Sequence, residues 1–240
     1  MSDPRFRIAV VCTGNICRSP LAAALLQDLL PEDQFEVVSG GVAHVPEGRV
    51  PSRQLRIAAD LGVEGLTEHV AQGVSEDWFE SAGLILGMSR RHRRFLVRKD
   101  PRATRRIFTL REFAYLASYA TPADVERGLA AASPLAAAVE AVASLRGMVP
   151  PVETQEDFDI VDPYRRSRAV HRRSRDQLVP AAKITAEYLN DVVEAFGSAP
   201  KEVSLPRVEA RPLRRRMDRH RDRLRDGVRD REKALHSAGH

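Results

Sequence analysis

The sequence predicts an α/β fold on a four-stranded parallel sheet. Three observations predict it. First, residues 8–11 and 83–88 are short, almost continuously apolar runs, the pattern of strands buried on both faces. Second, such runs alternate with helical stretches, which implies parallel pairing with right-handed crossovers. Third, the first run passes through a tight polar loop straight into a helix, at the carboxyl end of the strands where open α/β sheets bind ligands.

The elements follow in order. Residues 6–11 are strand one and residues 21–30 are helix one, apolar at nearly every position. Residues 35–39 are strand two, ended by Ser39-Gly40-Gly41. Residues 42–51, with Pro46, Gly48 and Pro51, form a loop. Residues 51–61 are a helix stopped by Gly62. Trp78, the only tryptophan, lies in a short helix over 75–81. Strand three is 83–88. A basic helix over 89–99 turns Phe95, Leu96 and Val97 inward, and strand four is 106–110.

Residues 113–150 are an extra helical segment, read as padding of the fold. Its alanine runs favour helix, with starts at Thr121-Pro122 and Ser133-Pro134. Residues 147–151 break it, and 153–159 are an acidic loop. Leu178, Ala181, Ala182, Thr185, Tyr188, Leu189, Val192 and Phe196 repeat at helical spacing. They mark a closing helix within 170–196, which Pro180 places as starting near itself.

The loop Cys12-Thr13-Gly14-Asn15-Ile16-Cys17-Arg18-Ser19, with Pro20 opening the helix, carries the chemistry. The thiolate is the nucleophilic form of cysteine. Backbone N–H groups of a strand-to-helix loop converge on one point, and the helix dipole adds to them. Such a nest holds a phosphate dianion and favours a thiolate at Cys12. Arg18 forks two phosphate oxygens, which Lys cannot do. Gly14 and Asn15 suit a loop passing through left-handed backbone. The Ser19 hydroxyl can donate to the departing thiolate.

Far downstream stands Asp162-Pro163-Tyr164. An aryl leaving group needs a proton, which a carboxylic acid supplies. Pro163 stiffens the turn, and Tyr164 offers a wall for an aromatic ring. Asp159 is the competing acid. The charged run 165–175 lies beside this motif and either steers acidic substrates or is a solvated surface.

CTGNICRSP followed by Asp162-Pro163-Tyr164 resembles the signature of the low-molecular-weight protein tyrosine phosphatase family. The resemblance implies a Rossmann-like sheet with helices on both faces, over residues 1–197. It implies hydrolysis of phosphotyrosine through a phosphocysteine. Cys12 is then the nucleophile, Asp162 the acid and later the base. Arg18 and the backbone of Thr13, Gly14, Asn15, Ile16, Cys17 and Ser19 hold the phosphoryl oxygens. It further implies a supporting network of Asn15, Ser19, Ser39 and His69, and a cleft wall from His44 and Val45. Under oxidation it implies pairing of Cys17 with Cys12. The implied partner is a phosphotyrosine protein; no cofactor or metal is expected.

Other readings share this loop. Thioredoxin-coupled arsenate reduction needs further cysteines, and both cysteines of the chain are in the loop. Arsenate reduction with a small thiol survives, as does phosphoarginine hydrolysis, although Ile16 at the rim suits an aryl ring better than a guanidinium. A non-enzymatic, phosphate-sensing binding module is opposed by the intact Cys12, Arg18 and Asp162.

The 43% hydrophobic content is enough to build a core, against a disordered chain. No apolar run reaches the roughly 18 residues that span a bilayer. Residues 1–7 lack the apolar core of a secretory signal, and two Cys in one loop form no disulfide framework. The expected location is cytoplasmic. Lys201–His240 holds thirteen Lys or Arg against seven Asp or Glu, a net of +6, so the whole-chain +5 leaves −1 for everything before it. Asp218, Asp222, Asp226 and Asp230 recur among arginines at i,i+4 spacing. Residues 198–240 are thus expected to be a charged, partly helical extension, available to a polyanion or a protein partner.

Overall fold

The computed structural model describes residues 5–197. The expectations for the extension at 198–240 lie outside the described residues. Strands β1 (Phe6–Cys12), β2 (Phe35–Gly41), β3 (Ala82–Gly87) and β4 (Ile107–Thr109) form one sheet in the order β2-β1-β3-β4. All pairings are parallel. The strand order therefore reverses between β1 and β3, which puts the end of β1 at the topological switch point.

Alternate residues of β1 serve two layers. Ile8 and Val10 face a core shared with α1 (Arg18–Leu29), α5 (Leu110–Ala117), α7 (Pro134–Ser144) and α8 (Arg168–Phe196). Ala9 and Val11 face the other side, with Trp78 of α3 (Trp78–Ser81) and Leu96 of α4 (Arg90–Lys99). Helices α2 (Ser52–Asp60) and α6 (Pro122–Glu126) complete the α-helices among the described residues, and 3-10 turns cover Pro101–Arg106 and Gln155–Phe158.

Several boundaries differ from the sequence expectation, each for a local reason. Helix α1 starts at Arg18 rather than residue 21, which leaves Pro20 in the first turn, where its missing N–H costs no bond. Strand β2 continues through both glycines, because Gly41 pairs with Cys12. A Cβ at Gly41 would stand 2.5 Å from the Thr13 carbonyl oxygen, so only glycine permits this approach. Strand β4 is cut short by Thr109, which caps α5 in a reciprocal pair with Glu112.

Helix α8 is not started by Pro180. It runs from Arg168 through that proline, whose exposed position spares the ring, while His171, Ser174, Leu178 and Ala181 bury the inner face on both sides. The segment read as padding supplies α6 and α7 at the two predicted Pro starts. Helix α7 buries Leu135, Ala138, Val139 and Val142, and packs on α5, α6, α8 and β3. Among the described residues, no helix is long and apolar enough to cross a membrane.

Candidate active site

Cys12 ends β1 and is 3% exposed. Its sulfur receives two donors: Ser19 Oγ at 2.9 Å and the Asn15 backbone N–H at 3.3 Å. Both arise because the chain reverses tightly between strand and helix. The reversal requires Asn15 to adopt φ of +53°, a strained conformation costing roughly 1–3 kcal/mol for a residue other than glycine.

The strain is held by a saturated set of hydrogen bonds. Asn15 Nδ2 donates to Ser19 Oγ at 3.0 Å and to Ser39 Oγ at 2.9 Å. Asn15 Oδ1 accepts from the Gln72 N–H at 2.9 Å. Its backbone oxygen lies 2.9 Å from His69 Nε2. With Asn15 donating to it, Ser19 keeps its own proton for the sulfur; the Gly40 carbonyl is a longer alternative at 3.3 Å. All four predicted network residues thus meet.

Arg18 is 5% exposed. One terminal nitrogen donates to the Ile160 carbonyl at 3.1 Å, the other to Asp162 Oδ2 at 2.6 Å. Its Nε is buried with no partner among the described residues. Asp162 is 144 positions away in sequence. It is brought here because Ile160 N–H bonds Met88 O at the end of β3, and Val161 N–H bonds Gln177 of α8. Its second oxygen caps the Tyr164 N–H at 3.1 Å, the turn that the Asp-Pro sequence favours. Asp159, the rival acid, is elsewhere: its carboxylate takes the backbone N–H and guanidinium of Arg90.

The rim is stitched to the loop. Val42 and Ala43 N–H groups bond Cys12 O and Thr13 O, and Val45 N–H bonds Gly14 O. Val45 and Ile16 crowd together over Gly14 and Gly48 as an apolar wall. The His44 ring lies against Gly73. Tyr164 is exposed, with the Arg165 guanidinium 5.1 Å from its ring centroid. Cys17 is a free, buried thiol. Burial first, then the charges of Cys12 and Asp162, push it up to about 12, so it stays protonated.

Sequence reasoning missed a second support. His92, 2% exposed, bridges Thr13 Oγ1 at 2.9 Å through Nε2 and Ser89 Oγ at 2.9 Å through Nδ1. Burial, then the nearby Arg18 charge, lower it to about 4, so the ring is neutral and donates from one nitrogen only. Gln72 was missed too; its side chain also bonds Ser39 O. The Ser89–His92 spacing in the first turn of α4 was the available signal, masked by five surrounding arginines. Among the described residues no three His, Cys, Asp or Glu are grouped to hold a metal ion.

Comparison with known proteins agrees with this geometry. The family model described as low molecular weight phosphotyrosine protein phosphatase matches residues 7–127, a span that holds the loop and stops before Asp162. A protein-arginine-phosphatase of Bacillus subtilis is 34% identical over 114 residues, covering 44% of this chain and 71% of the relative. A probable low molecular weight protein-tyrosine-phosphatase, EpsP of Ralstonia solanacearum, is 35% identical over 105 residues, covering 44% and 70%. Among solved structures, the YwlE arginine phosphatase of Geobacillus stearothermophilus superposes with a TM-score of 0.58 at 25% identity, covering 81% of this chain and 99% of that one. With the strand–loop–helix cradle, the sheet order and these matches together, the chain belongs to the low-molecular-weight phosphotyrosine protein phosphatase family.

Proposed function

We propose that this enzyme hydrolyses phosphotyrosine in proteins through a phosphocysteine, with Cys12, Arg18 and Asp162 as its reacting and phosphate-holding groups. One observation carries the reading. The adjacent residues Arg18 and Ser19 tie both chemical ends together, Ser19 Oγ at 2.9 Å from the Cys12 sulfur and Arg18 at 2.6 Å from Asp162.

The buried, unpartnered Nε of Arg18 is the donor left for a phosphoryl oxygen. A second oxygen takes the nitrogen now held by Asp162, which releases the carboxyl toward the leaving group. The Cys12 thiolate then forms the S–P bond as the P–O bond breaks, and the Asp162 proton passes to the phenol oxygen. In the second step water forms a new P–O bond and gives its proton to Asp162. The S–P bond breaks, and Ser19 donates to the departing thiolate. The backbone N–H groups from Thr13 to Ser19 would stabilise the equatorial charge throughout. Ser39, His69 and Gln72 act through Asn15 and are positioning residues.

Ile16 and Val45 favour an aryl ring at the rim, with Tyr164 as its opposite wall. The arginine-phosphatase relative keeps phosphoarginine as a second reading. We assign residues 1–197 to the catalytic domain, with 113–150 as its added helical layer, and place the enzyme in the cytoplasm, where its thiols stay reduced. The extension at 198–240 is assigned to a polyanion or protein partner.

The test is hydrolysis of an aryl phosphate across pH, without added metal, by wild type, Cys12→Ser and Asp162→Asn. Activity abolished by the first variant and sharply weakened by the second is the expected result. An inert wild type overturns the reading, and faster release of phosphate from phosphoarginine than from phosphotyrosine peptides would favour the second one.

A further inference from the structure

Beside the loop lies a cavity of about 280 Å³ that the catalytic steps above do not use. Arg53 and Arg56 line it from α2, and Tyr164, Arg165 and Arg166 from the acid-bearing loop, with Cys17 at its inner end. No Asp or Glu lines it, and none of the four arginines is in an ion pair among the described residues. Four cations around one hollow repel one another; Arg56, Arg165 and Arg166 are exposed, where water screens part of that repulsion, and Arg53 is half-buried. An anion relieves it.

The cavity is built rather than incidental. Two of its lining residues are joined by a buried relay: Gln54 Nε2 donates to Cys17 O at 3.4 Å, and Gln54 Oε1 lies 3.2 Å from His171 Nδ1. Gln54 is 2% and His171 5% exposed. Arg53 donates to the Arg166 carbonyl at 3.0 Å, which fastens α2 to the acid-bearing loop. The Nε of Arg53 is buried with no partner among the described residues. Arg165 sits at φ of +55°, which turns the chain so that its guanidinium covers Tyr164. Burial first, then the Arg53 charge, lower His171.

We propose that this cavity is a second anion subsite, taking a phosphoryl or carboxylate group on the same polypeptide, next to the phosphotyrosine. This rests on the catalytic reading above. Tyr164 is shared by the cavity and the proposed ring wall, so the two groups are neighbours on the substrate. Arginine forks suit either oxyanion. At roughly 30 Å³ per water, the volume admits a phosphoryl group and several waters. The substrate class is thus a phosphotyrosine with a second oxyanion, phosphoryl or carboxylate, next to it in the polypeptide.

The test uses the full chain and five probes: nitrophenyl phosphate, a phosphotyrosyl peptide with neutral flanks, and that peptide with an adjacent second phosphotyrosine, an adjacent Glu, or a second phosphotyrosine ten residues away. The expected wild-type kcat/KM is about tenfold higher for an adjacent anion than for neutral flanks, the low end for one charge-assisted hydrogen bond. In the Arg56→Gln/Arg166→Gln double variant the ratio is expected to fall to about twofold or less, with nitrophenyl phosphate turnover normalising for active enzyme. The two adjacent probes identify phosphoryl or carboxylate as the preferred group. A wild-type ratio under twofold, an equal gain from the distant phosphotyrosine, or an unchanged ratio in the variant overturns the subsite. If wild type leaves nitrophenyl phosphate intact, the catalytic reading fails instead. The same peptide ratios, read as binding by fluorescence anisotropy, then decide the subsite alone.

Discussion

Asn15 and Asp162 are both polar loop residues at one site, yet the fold treats them oppositely. Asn15 is fully buried and tied to Ser19, Ser39, Gln72 and His69. The Asp162 side chain is 49% exposed and makes two bonds, one to Arg18 and one within its own turn. The phosphate cradle is therefore decided by folding, before any ligand arrives. The proposed acid is held by the same arginine that is proposed to take the phosphate, so on that reading its position is decided by the ligand. A cradle of this kind serves every phosphate ester alike, whereas the acid serves only those whose leaving group needs a proton.

That contrast can be broken most directly at Arg18. Arg18→Lys is expected to lower kcat/KM by about 10²–10³-fold, the cost of one transition-state donor, and by the same factor for a nitrophenyl and an unactivated phenyl ester. A loss confined to the poorer leaving group would mean that Arg18 acts mainly by holding Asp162. Asp162→Asn should separate the two esters. Roughly 10²-fold or more is expected for the unactivated phenol, with a far smaller loss for the most acidic phenols. Equal losses across leaving groups would erase the distinction between cradle and acid.

Stability sharpens the comparison further. Asn15→Ala strands the partners of a buried side chain and places alanine at positive φ, so a loss of about 2–4 kcal/mol in urea unfolding is expected. In Asp162→Asn the carboxylate lost is 49% exposed and the amide oxygen still accepts from Arg18, whose side chain is 6% exposed, so a loss of about 1 kcal/mol is expected, below that of Asn15→Ala. Similar losses for the two would show that the acid-bearing loop is part of the folded scaffold.

The same division explains what the sequence disclosed. The strands, the loop and the two Pro-initiated helices were legible because each rests on local pattern. Cys12, Arg18 and Ser19 fall within one turn of chain, and their types announce thiol and phosphate chemistry. Asp162 was legible as an Asp-Pro-Tyr motif, but its choice over Asp159 rests on Arg90, which claims the rival carboxylate from another helix. Pro180 misled because its local cost is outweighed by burial along 29 residues of α8. His92 carried only the Ser89 spacing three residues before it, and Gln72 and Gln54 carried no local mark. The partners that give all three their roles, Thr13, Ser39, Cys17 and His171, are distant in sequence.

His92 is the finest test of that hidden support. Its folded ring is lowered to about 4 by burial and by Arg18, whereas an unfolded histidine titrates near 6.5. Between those values the unfolded chain binds more protons than the folded one. Stability therefore rises with pH across this window and is lost as pH falls from about 6.5 toward 4. Acidification from pH 7 to pH 5 is expected to cost about 2 kcal/mol through this ring alone. Carboxylates titrate in wild type and variant alike, and so does His171, which is lowered in the same direction. The difference between wild type and His92→Gln isolates the ring. Glutamine keeps a donor and an acceptor but carries no titration, so urea midpoints of the variant should fall less steeply between pH 7 and pH 5. Parallel profiles would mean that the ring accepts its proton in place, and that Thr13 does not depend on a neutral imidazole for its orientation.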